Sequence, residues 1–143
     1  MPSVSHERMV QLKISNNSVN PGQNVCAHAV AYYLNVDHRV QFLHNIDDIK
    51  RAVSFEYSLR SVKTKVGWTR RMRVVDLQRK IRDRFTQDPF YYLVWVNGHI
   101  LLVDCVGETV VDTAPQRFDD RYVRGVWGLF MKKGVATFTR KIR

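Results

Sequence analysis

Polar and apolar residues follow two different periods in the two halves of the chain. Residues 8–15 contain Val10, Leu12 and Ile14 alternating with Gln11 and Lys13, which predicts a first strand. Asn16-Asn17-Ser18-Val19-Asn20-Pro21-Gly22 reads as a loop. From Asn24 to Asn35 the apolar positions nearly surround a helical axis, so a buried central helix is expected, capped by Asn24 and ended by Asn35. Asn45 followed by Ile46, Asp47 and Asp48 marks a second helix start, running through Ile49, Val53 and Tyr57. Val74, Leu77, Ile81 and Phe85 set out a third helix with cations on its other sides, preceded by a loop or short strand over residues 69–73.

After Pro89 the period shortens. Residues 90–96 and 99–103 are β-rich runs joined by Asn97-Gly98, a strong hairpin signal. Residues 109–113 form a further short strand. Residues 126–131 and 135–139 suggest a second hairpin about Lys133-Gly134. Helices first and antiparallel strands afterwards predict an α+β fold. At 143 residues with 45% apolar content, the chain is expected to form one domain spanning residues 1–143. No apolar run reaches the ~18 residues a membrane span requires, and the first residues lack the build of a secretory signal.

Charge adds a second feature. Of a net +10, residues 60–84 carry +8, since ten Lys and Arg there face only Asp76 and Asp83. Arg70, Arg71, Arg73, Arg79 and Lys80 form the centre of this segment. Lys132, Lys133, Arg140, Lys141 and Arg143 make a smaller cluster near the end. Such a surface attracts nucleic acid, acidic membrane or an acidic protein.

Cys26 and Cys105 form no Cys-x-x-Cys zinc motif and no disulfide framework, so no metal or cofactor is expected, and a reducing, cytoplasmic compartment is favoured. Delivery into a host cell is compatible with the same composition. Cys26 falls in the first turn of the central helix, where unpaired N–H groups and the helix dipole favour an anion. A thiol so placed is a candidate nucleophile if a base and an orienting group lie downstream. His99, opening a strand after Gly98, and Asp112, ending the next, supply both types. Each also has a plainer reading: a core cysteine, a polar hairpin residue and a turn acid. His28, His38 and His44 read as structural or loop residues, Cys105 as a bystander, and Phe90, Tyr91, Tyr92 and Trp95 as core.

A buried helix with cysteine in its first turn, followed by Gly98-His99-Ile100-Leu101-Leu102-Val103, then Gly107-Glu108, then Val110-Val111-Asp112, resembles the papain-like cysteine peptidase superfamily. The similarity is to its compact members: bacteriocin-processing peptidase domains, viral leader proteases and papain-fold toxin deamidases. It covers about a quarter of the chain, and Ala27 stands where an aromatic residue often follows the cysteine. The resemblance implies a papain-like fold, with the nucleophile-bearing helix packed on a C-terminal antiparallel sheet. It also implies hydrolysis of a peptide or side-chain amide bond by Cys26, His99 and Asp112 through a thioester. The oxyanion would meet the backbone N–H of Cys26 and an upstream amide, for which spacing favours Asn20 and residue type favours Gln23.

Strand pairing tests the triad. A tight turn at Gly107-Glu108 would place His99 opposite Gln116, leaving Asp112 four residues away at ~3.3 Å each. A five-residue loop over 104–108 would pair Val103 with Thr109 and bring Asp112 beside His99. The triad therefore requires that wider loop or a bulge, with Gln116 as the fallback orienting residue. The alternative function is a basic nucleic-acid-binding module using residues 60–84, with the Cys/His pair structural. For the hydrolase, the same segment would dock a protein or peptide substrate or an acidic partner.

Overall fold

The computed structural model describes residues 25–37, 43–63, 65–115 and 119–132. The strand expected over 8–15, the hairpin arm at 135–139, Asn24, His38 and Gln116, and the oxyanion candidates Asn20 and Gln23 lie outside them. The described residues form an α+β fold of three helices, α1 (Val25–Tyr33), α2 (Ile46–Val53) and α3 (Val74–Arg84). They pack on five strands, β1 (Tyr57–Ser61), β2 (Tyr91–Val96), β3 (His99–Asp104), β4 (Thr109–Val111) and β5 (Val123–Met131). The strands pair antiparallel in the order β1-β5-β2-β3-β4.

Local chemistry accounts for the element ends. Asn35 takes φ +58° just past α1. Val36 N–H donates to the Ala31 carbonyl at 2.9 Å and Asn35 N–H to that of Tyr32 at 3.1 Å, a Schellman closure. Asn45 caps α2 by accepting from the Asp48 N–H at 3.1 Å. Arg73 precedes α3 without a side-chain cap. Instead the Val74 and Val75 N–H groups donate to the carbonyls of Arg121 and Asp119, at 2.9 and 3.0 Å. The Asn97-Gly98 turn joins β2 to β3, with Gly98 at φ +68°.

Alternation along β2 and β3 divides the core. Tyr91, Leu93, Ile100 and Leu102 pack with α1 and α2. Tyr92, Val94, Leu101 and Val103 pack with Val74, Leu77 and Ile81 of α3. The central strands are thus covered on both faces. The second helix ends at Val53, and Tyr57 opens β1 rather than closing a helical stripe. The reason is tertiary: β1 pairs along its whole length with β5, from Tyr57↔Met131 to Ser61↔Trp127. The 69–73 segment is a turn ending in a single bridge, Arg73↔Tyr122.

Candidate active site

Cys26 is the second residue of α1, and α1 lies against β3 and β4. Its Sγ accepts a hydrogen bond from the Ile100 N–H at 3.2 Å, one residue beyond His99. His99 is the first residue of β3, and Asp112 follows the last residue of β4. The His99 Nε2 lies 2.6 Å from Asp112 Oδ1. With Nε2 engaged there, Nδ1 is the nitrogen left for Cys26, to whose side chain the ring is also hydrogen-bonded. The structure therefore brings Cys26, His99 and Asp112 together across 87 residues of chain.

The β3–β4 register explains how. Val103 pairs with Thr109, so the connection is the wide loop over 104–108. Leu102 then pairs with Val111, which leaves Val110 as an extra residue on β4. Side chains alternate along a strand, so one extra residue reverses the face of everything after it. Continued one step, the register sets Asp112 opposite Leu101, on the face that His99 shares. Without the bulge Asp112 would fall opposite Ile100, on the other face. The loop is held by Asp104, whose Oδ1 accepts from the Val106 and Glu108 N–H groups at 3.1 and 3.0 Å. From α3, the Gln78 side-chain amide donates to the Gly107 carbonyl and to Thr109 Oγ1, at 3.1 and 2.9 Å.

Electrostatics favour a charged ring. Burial pushes the His99 imidazole down, but the hydrogen bonds to Asp112 and Cys26 outweigh it and raise the ring to about 9. Burial pushes the Asp112 carboxyl up. Hydrogen bonds from His99, from Arg121 Nη2 at 2.8 Å and from the Ala114 N–H at 2.9 Å overcome this and hold it below its usual range.

No protein-family model, curated protein or solved structure matches this chain. The site must therefore be read from its own geometry, and that geometry includes a residue that no sequence motif marks. Arg121 bridges two acids: besides Asp112, it donates through Nε and Nη2 to the two Asp119 oxygens, at 2.8 and 2.6 Å. The pair with Asp119, then Asp112, raises the guanidinium further above its already high range. Asp119-Asp120-Arg121 is a local charge cluster in sequence, but nothing local shows that it reaches Asp112.

Cys105 is buried, and burial pushes its thiol up. Among the described residues no group of His, Cys, Asp and Glu is placed to hold a metal ion, and no helix is long and apolar enough to cross a membrane. Arg70, Arg71, Arg73, Arg79 and Lys80 are all exposed, on α3 and the turn before it.

Proposed function

We propose that the chain is a cysteine-dependent hydrolase of the papain-like kind, cleaving a peptide or side-chain amide bond. The observation that carries this reading is that one imidazole serves two partners: its Nε2 lies 2.6 Å from the Asp112 carboxylate, and the ring is also hydrogen-bonded to the Cys26 side chain. In this reading the proton held on His99 is the one the thiol gives up, and Sγ attacks the substrate carbonyl carbon. The C–S bond forms as the carbonyl π pair moves to oxygen, where the backbone N–H of Cys26 is the expected donor, with Asn20 or Gln23 as candidates for a second. Collapse breaks the C–N bond, and His99 passes its proton to the departing nitrogen. Water, deprotonated by the same ring, then hydrolyses the thioester and restores the thiol. Asp112 keeps Nε2 occupied throughout, so the working nitrogen always faces sulfur.

Alkylation with iodoacetamide at neutral pH tests the proposal. Cys26 and Cys105 are 4% and 5% exposed, so accessibility gives neither an advantage. Mass spectrometry should locate the adduct at Cys26, with the rate falling at least about tenfold in His99→Ala. Equal, slow labelling of both cysteines would overturn the reading.

A further inference from the structure

Beyond the hydrolase reading, and independent of it, we propose that the outer face of α3 binds single-stranded nucleic acid. α3 buries Val74, Leu77 and Ile81 and turns Arg79, Lys80, Arg82 and Arg84 to solvent. The turn before it adds Arg70, Arg71 and Arg73, all exposed. A hollow of about 330 Å³ opens between these elements, its wall shared by the cations Arg71, Arg79 and Lys80 and the acids Asp76 and Asp83. Asp76 answers Arg79 at 3.6 Å, an exposed pair that contributes little and yields readily to a phosphate.

Aromatic rings decide between polyanions. Tyr122 and Phe85 are 50% and 58% exposed. Tyr122 accepts a hydrogen bond from Arg73 Nη2 at 3.2 Å, immediately before α3, and Phe85 is the first residue past its end. Eleven residues of helix separate the two ends by about 16 Å, so two exposed rings flank a run of cations. Arg73 lies over the Tyr122 ring at 5.1 Å and Lys63 over Trp68 at 4.4 Å, interleaving cations with π-faces. Cations track a phosphate backbone, and exposed rings stack bases that only a single strand leaves available. An acidic peptide would use the cations and leave the rings idle.

The test is fluorescence anisotropy with a fluorescein-labelled oligothymidylate of about 20 nucleotides. Binding should weaken by on the order of tenfold or more between about 50 and 200 mM NaCl. The exposed pair Arg79→Glu, Lys80→Glu should reduce the salt slope by about one or more. Tyr122→Ala with Phe85→Ala should weaken binding about tenfold while leaving that slope in place. Cys26→Ala should bind as the unaltered chain does, which keeps this result separate from the fate of the hydrolase reading. No binding at the lowest salt would overturn the proposal. So would an unchanged slope in the charge-reversed variant, equal affinity for the duplex, or equal competition by polyglutamate.

Discussion

Asp112 meets His99 at 2.6 Å through one carboxylate oxygen while its other oxygen is held by Arg121 at 2.8 Å. The carboxylate therefore cannot swing away from the ring without breaking a charge-assisted bond on its far side. Two acids, one guanidinium and one protonated imidazole bring the local charge close to neutrality, which makes a largely buried cluster tolerable.

Stability should respond to the His99 proton. The ring is raised to about 9 in the folded chain against 6.5 ordinarily. Its contribution is full below about pH 6.5 and is lost as pH climbs from there through about 9. The urea midpoint should fall across that window, and fall less in His99→Gln. Ring-carbon NMR shifts should titrate near 9; a midpoint at or below 6.5 would contradict the cluster.

Asp112→Asn keeps the shape and removes the charge. Burial then acts on the ring with far less opposition, so His99 should titrate below its value in the unaltered chain. Cys26 alkylation at neutral pH is expected to slow by at least about tenfold. Unchanged rates would show that the carboxylate does not govern the ring.

Arg121→Met removes the cation that the buried carboxylates Asp112 and Asp119 share, while Asp112 keeps the His99 ring. Urea unfolding should report a loss of about 3–5 kcal/mol. Arg121→Lys, which keeps the charge but not the fork, should lose distinctly less.

Two glycines in left-handed backbone should respond unequally to alanine. At Gly98 a Cβ meets nothing within 4 Å, so only the φ of +68° costs, about 1 kcal/mol. At Gly107, with φ +83°, the Cβ would run into the Gln78 carbonyl oxygen of α3. Gly107→Ala should be the more damaging in a melting experiment, and equal losses would count against the packing of α3 on this loop.

Much of this architecture was legible locally. Asn35, Asn45 and Asn97-Gly98 act within a few residues of where they stand, and each ends, caps or turns an element as its type demands. The stripe of Leu77 and Ile81 marked α3 because it repeats at helical spacing. What stayed hidden depends on distant partners. β1, with the weak burial pattern of Tyr57–Ser61, is a strand because β5 pairs with it from the far end of the chain. Phe85 was expected on the buried stripe of α3 but adopts φ +36° and points to solvent. Arg121 joined the site through a contact that no spacing announces.

The extra residue at Val110 turns chain length between His99 and Asp112 into a matter of odd and even. Removing or adding one residue within β4 would send the carboxylate through the sheet to the other side, although every candidate site residue would still be encoded. A change of two would return it. Sequences built on this plan can therefore differ freely in the composition of that stretch, while their lengths there are confined to one parity.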